Sequence, residues 1–134
     1  MVPKTAILIT GGWAQRTQTT AEVYFPSTNK GCSVPDYALP GIGHTHTMNT
    51  FQKKTLMCGG GLGKRCYEFS PASLNSIVTV WPKYADLTES RYEHTSWVSS
   101  KGVVLIGGYS KKIPETTAEL VNGSILPFTL PHTR

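Results

Sequence analysis

The sequence predicts an all-β domain built from repeated four-stranded antiparallel units. Three observations carry this expectation. A strand running into a glycine pair occurs three times, at Gly11-Gly12, Gly59-Gly60 and Gly107-Gly108, so that the pairs stand 48 residues apart. No stretch sustains the apolar spacing of an amphipathic helix. Thirteen glycines and nine prolines punctuate the 134 residues, between short runs rich in threonine, valine, isoleucine and tyrosine, which favour strands.

A second landmark moves in the same register. His46-Thr47 and His94-Thr95 are also 48 residues apart, each histidine 13 residues before a glycine pair, and Leu39 and Leu87 each stand seven residues before those histidines. Internal periods of this size belong to propellers and solenoids. Each unit then reads as four strands. Strand a lies at the histidine, as in "HTSWVS". Strand b follows a turn such as Lys101-Gly102 and ends at the glycine pair. Strand c is "AEVYF" at 21–25, "CYEF" at 66–69 and "AELV" at 118–121, and strand d contains Trp81 in the second unit. Asn122-Gly123 is a strong hairpin signal because both residues tolerate positive φ. The expected core is a stack of Ile7, Ile9, Leu56, Val104 and Ile106. The recurring glycines suit a crowded place where the backbone must come close or take an unusual φ.

These residues resemble the kelch repeat, the roughly 50-residue blade of a β-propeller. The resemblance rests on the three glycine pairs, on Tyr24 and Phe69 after strand c, on Trp81, and on Arg91 three residues before His94. It implies a kelch-type β-propeller fragment with four-stranded antiparallel blades, an open arc of nearly three blades. The expected division is 1–40 as an incomplete blade lacking strand a, 41–89 and 90–131 as blades, and 132–134 as the start of a further strand a. The sequence departs from the pattern in three places. Cys32 or Ser33 stands where Trp81 predicts an aromatic, Gly43 holds the place of Arg91, and Val121 replaces the aromatic of strand c. Closed propellers have about 4–8 blades. The arc is therefore expected to be an excerpt of a longer ring, half of a ring made by two copies, or, least favoured, an object in which "PHTR" pairs back onto the first blade.

The net charge of +5 comes from scattered residues. The pairs Lys53-Lys54, Lys64-Arg65 and Lys111-Lys112 are expected between strands, where they solubilise turns and edges. No basic stripe with interleaved aromatics suggests nucleic acid. No apolar run approaches the roughly 20 residues of a membrane span, and the start "MVPKTAILITGG" has no signal-peptide pattern. Cys32, Cys58 and Cys66 are an odd set. Cys58 and Cys66 flank "GGGLG", read as a flexible hairpin loop without the spacing of a phosphate-binding loop. Opposite one another they are either a disulfide or two buried thiols, according to compartment. The strings "CSVPDYALP", "CGG" and "TTAELV" are similar to secreted, cysteine-bearing kelch-type proteins. With the hairpin, that resemblance implies pairing of Cys58 with Cys66, Cys32 left free, and a secreted location.

No catalytic constellation stands out. Asp36, Glu68, Asp86, Glu89, Glu93, Glu115 and Glu119 show no pairing that recommends acid–base catalysis, and most are expected in turns or at exposed strand positions. His44 and His46 share a strand face but lack further ligands, so neither a metal nor a cofactor is expected, and His46 and His94 are read as structural. Asn122-Gly123-Ser124 is a glycosylation sequon better read as a turn. The expectation is a non-catalytic scaffold that binds a protein or glycan ligand. The loops at 13–19, 61–65 and 109–116 would do so through Trp13, Arg16, Arg65, Tyr109, Lys111 and Lys112. The rival reading, implied by resemblance, is a fragment of a galactose-oxidase-like carbohydrate-active enzyme whose site lies outside this chain. Adjacent Cys66 and Tyr67 point to opposite strand faces and so are badly placed for the cross-link of such a site.

Overall fold

The computed structural model describes residues 6–11, 13–14, 16–17, 20–34, 45–69, 81–112 and 115–131. They form an all-β structure with no α-helix among them. The first sheet holds β1 (Ile7–Thr10), β4 (Ala21–Phe25) and β5 (Lys30–Val34), with the short hairpin β2 (Trp13–Ala14) and β3 (Arg16–Thr17) between β1 and β4. The second is a meander of β6 (Thr47–Phe51), β7 (Lys54–Cys58), β8 (Arg65–Phe69) and β9 (Lys83–Asp86). The third repeats it with β10 (Thr95–Ser99), β11 (Gly102–Ile106), β12 (Thr117–Leu120) and β13 (Ser124–Thr129). Every pairing is antiparallel. The second and third sheets carry strands a to d in order, and the first carries b, c and d.

Local chemistry sets the turns. Gln52 and Lys53 both take positive φ, 49° and 63°, which is what a two-residue hairpin needs to match strand twist. Between β12 and β13 the loop is one residue longer, Val121 to Gly123, and Asn122 and Gly123 take positive φ there, at 146° and 88°. Pro82 cannot donate to a ladder, so β9 begins one residue later; the Pro82 carbonyl still accepts the Glu68 N–H at 3.0 Å. Trp81 therefore precedes strand d rather than lying within it, and Tyr24 and Phe69 lie inside strand c rather than after it.

The core forms two layers, one on each face of the second sheet. Met57, Tyr67 and Phe69 face the first sheet and pack with Ala21, Val23, Leu62 and Trp81; the Phe69 and Trp81 rings are 5.1 Å apart. Leu56, Cys58 and Cys66 face the third sheet and pack with Leu87, Val103, Leu105 and Val121. Strand alternation divides neighbours between the layers: Leu56 from Met57, and Cys66 from Tyr67.

Several sequence expectations change here. Ile7 and Ile9 are not core; they are 48% and 52% exposed. Alternation turns Leu8 toward the first core layer instead, and the first sheet has no described sheet on its other face. Leu56 and Val104 are buried, whereas Ile106 is half-buried. Lys54 and Arg65 lie within strands, not between them. "GGGLG" contains a 3-10 turn at Gly60–Leu62, and Leu62 is buried in the first core layer, so the segment is anchored and not a plain loop. The expected loop at 13–19 includes the β2–β3 hairpin. Residues 35–44 and 132–134, with the expected strand start at 132–134, lie outside the described residues.

These layers predict unequal costs for apolar truncation. Met57→Ala should lose about 2–5 kcal/mol of unfolding free energy in urea titration. Ile9→Thr should stay within about 0.5 kcal/mol of the parent, as exposed positions do.

Candidate functional site

The repeated glycines form a seam along the ends of the b strands. Gly11, Gly59 and Gly107 adopt φ of 63°, 69° and 68°. Each donates its N–H across to strand c: to Thr20 O at 3.1 Å, Arg65 O at 3.4 Å and Thr117 O at 3.0 Å. The left-handed conformation turns the chain out of the strand while keeping this bond, and a Cβ disfavours it. Gly60 and Gly108 also have positive φ, whereas Gly12 is outside the described residues. Space is a second constraint. A Cβ on Gly59 would stand 2.4 Å from His94 Cε1 and 2.9 Å from Arg91 O; one on Gly108 would stand 2.6 Å from Tyr92 O. Gly60 N–H donates to Arg91 O at 2.7 Å, tying the second sheet to the segment that opens the third.

The two histidines reach back across the seam. His46 Nε2 lies 3.1 Å from Thr10 Oγ1 of the first sheet. His94 Nε2 lies 2.9 Å from Thr47 Oγ1 of the second. The two threonines are not equivalent in the repeat. Thr10 ends strand b, and Cys58 holds that place in the second sheet; Thr47 is the cross-strand neighbour of Cys58. With Cys58 bonded to Cys66, the hydroxyl comes from the other member of the pair. Burial, and after it the Arg91 guanidinium, pushes the His94 pKa down to about 4 from an ordinary 6.5, so the ring is neutral at pH 7.

Arg91 and Glu119 form a wholly buried ion pair, each with 0% side-chain exposure, with Nε donating to Oε2 at 3.2 Å. Arg91 Nη1 donates to Gly107 O at 2.9 Å and Thr117 O at 3.3 Å, and Nη2 donates to Thr117 Oγ1 at 2.7 Å. The second oxygen of Glu119 accepts the Thr88 N–H. One guanidinium thus binds the entry of the third sheet to strand c and to the glycine seam. From sequence, most of the acids belong in turns or at exposed strand positions; Glu119 is an exception, wholly buried within strand c. Glu68 pairs with Lys54 at 2.9 Å, Asp86 with Lys83 at 2.6 Å and Glu89 with Lys112 at 3.2 Å, all at the surface.

Cys58 and Cys66 are joined in a disulfide with Cα atoms 4.2 Å apart, and Cys32 is free and exposed. The loop residues do not share one environment. Arg65 is exposed at the start of β8. Tyr109 is 51% exposed, and its backbone is held by two hydrogen bonds to Tyr92, at 2.8 and 3.0 Å. Lys111 is exposed beside it in sequence, and Lys112 is held by Glu89. Of Trp13 and Arg16 only the backbone is described, on β2 and β3, and His44 is outside the described residues. An open cavity of about 680 Å³ is bounded by Glu93, Thr95, Ile106, Gly107, Gly108, Tyr109, Glu115 and Leu130. Among the described residues no group of three or more His, Cys, Asp or Glu side chains is placed to hold a metal ion. No described helix is long and apolar enough to cross a membrane. Comparison with known protein families and with curated proteins finds no match to the chain.

Sequence reading named Glu119 and Thr47 but missed the buried ion pair of the one and the histidine contacts of Thr10 and Thr47. The signal for Glu119 was faint: its equivalents are the exposed Glu22 and the core Tyr67, so only the third unit combines an acid there with an arginine at position 91.

Two outcomes follow from the buried charges. Glu119→Ala should lower the unfolding free energy by about 3–5 kcal/mol, because it strands a buried guanidinium; equilibrium denaturation would read this. For His94, the unfolded chain takes up a proton near 6.5 and the folded chain only near about 4. Its contribution is therefore complete above pH 6.5 and is lost as pH falls toward 4, by up to about 3 kcal/mol. Denaturation at stepped pH should show that part of the slope missing from His94→Asn.

Proposed function

We propose that the chain is an arc of a kelch-type β-propeller that acts as a non-catalytic scaffold, binding a protein or glycan ligand through the loops beyond the glycine pairs. The observation that supports the architecture most is the recurrence of one backbone device in three sheets, a left-handed glycine whose N–H caps strand c, at 11, 59 and 107. The face-to-face packing of a three-stranded and two four-stranded meanders suits blades of such an arc. The binding reading rests on Tyr109. It is a large exposed aromatic on a backbone fixed by paired hydrogen bonds, with Lys111 two residues on, beside a cavity. An aromatic that needs little ordering and offers both an apolar ring and a hydroxyl suits either ligand class. The Cys58–Cys66 disulfide supports a secreted location, since such bonds persist in oxidising compartments.

The test is a panel of immobilised glycans and extracellular protein domains probed with the folded chain, followed by Tyr109→Ala and Lys111→Ala. For a ligand so found, Tyr109→Ala should weaken binding about tenfold or more, as hot-spot aromatics do, with the melting midpoint unchanged. Affinity indifferent to both substitutions would remove the loop from the reading. Stoichiometric copper binding with a protein radical signal would replace the scaffold by the enzyme.

A further inference from the structure

The place where His94 sits on the second sheet has a counterpart on the third that no described residue fills. Strand register defines it. Cys58 pairs with Thr47 as Ile106 pairs with Thr95. Gly59 and Gly107 follow with nearly the same φ, 69° and 68°. Leu87 N donates to Lys64 O, and Leu130 N donates to Thr116 O, both at 2.6 Å. Thr47, Cys58, Gly59 and Leu87 therefore correspond to Thr95, Ile106, Gly107 and Leu130.

The first set is covered by the sheet that follows it. The His94 ring lies against Gly59, its Nε2 meets Thr47, and Asn49 Nδ2 donates to Ser96 Oγ at 2.7 Å beside it. The second set opens on the cavity of about 680 Å³. Among the described residues, the atoms nearest a Cβ at Gly107 are Glu115 O at 3.3 Å and Leu130 Cδ1 at 3.6 Å, both from the third unit itself. Trp97 holds the register place of Asn49 and is 61% exposed. An aromatic left in water at a position that elsewhere contacts the next sheet marks an interface face.

We propose that this cavity is a docking seat for the imidazole of a β-strand that begins His-Thr, supplied by a further repeat unit as His94 is supplied to the second sheet. Gly107 lets the ring approach the backbone as Gly59 does, and the Thr95 hydroxyl takes the part of Thr47. Trp97 lies along the incoming strand, where the second sheet has Asn49. The seat continues an interface formed within this chain, and it does not depend on whether the stack closes into a ring; Tyr109 borders the same cavity, so a docked strand would lie beside the ligand loop proposed above. Glu93 and Glu115 line it, so a partner segment without acidic residues is favoured.

The probe is a labelled peptide of residues 43–51, "GHTHTMNTF", which has a His-Thr start and no acid. Titrated into the full chain, it should bind saturably at one site. Binding should fall at least tenfold with His46→Ala in the peptide, and about fivefold to tenfold with Thr95→Val in the protein, the loss expected for one hydrogen bond. Thr95 is exposed, so that variant should melt like the parent; Gly107→Val should abolish binding but needs its fold checked. Equal binding of the alanine peptide, or by Thr95→Val, overturns the proposal, as does no binding at millimolar peptide. If the parent binds nothing and His132→Ala binds, the further strand is the chain's own carboxy-terminal segment, already seated.

Discussion

How closely the second and third sheets approach is set by the missing Cβ at Gly59. His94 stands where that atom would be, and Arg91 O accepts the N–H of Gly60 beside it. Backbone of the second sheet is thus in direct contact with the His94 ring and with the Arg91 carbonyl of the segment that opens the third. The buried layer of Leu56, the disulfide, Val103 and Leu105 depends on that separation. A larger residue would hold the sheets apart and open voids, which close-packed interiors tolerate poorly. The same contact removes His94 from water and leaves its ring neutral, able to face the guanidinium of Arg91 without adding a like charge.

The second sheet is apolar on both faces, and its strands keep their side chains sorted by strict alternation. A slip of one residue in β7 would send Met57 toward the third sheet and Cys58 toward the first. The disulfide fixes the pairing of Cys58 with Cys66, so the register of β7 on β8 is held covalently as well as by burial. The third sheet is held differently. A buried charge pair ties its entry segment to strand c, and the surrounding carbonyl and hydroxyl bonds offset the desolvation of both charges. One unit thus relies on a covalent bond and the other on a polar network.

What was legible in the sequence follows from how few residues satisfy each requirement. Only glycine meets both the φ and the contact at Gly59, so the repeat survives as a visible glycine. Arg91 stood out by its spacing from His94. Glu119 did not, because its counterparts do other work. The threonines were hidden because a hydroxyl can come from either member of a cross-strand pair. Ile7 and Ile9 were misplaced because apolar content alone does not say which face of an end sheet has a neighbour. Leu62 was lost among glycines, although a single leucine there is what pins the turn to the core.

The unequal threonines let each unit serve the next histidine with a hydroxyl of its own. A second-sheet unit moved to the first position would present Cys58 where His46 finds Thr10 but would offer the Thr47 hydroxyl in its stead. A first-sheet unit moved to the second position would bring Thr10 and Ala21 in place of Cys58 and Cys66, so the disulfide would go while His94 found the Thr10 hydroxyl. The contact between neighbours is thus portable along the array, because the hydroxyl travels with the unit that supplies it. What the order of the units decides is where each cross-strand lock, covalent or polar, lies in the stack.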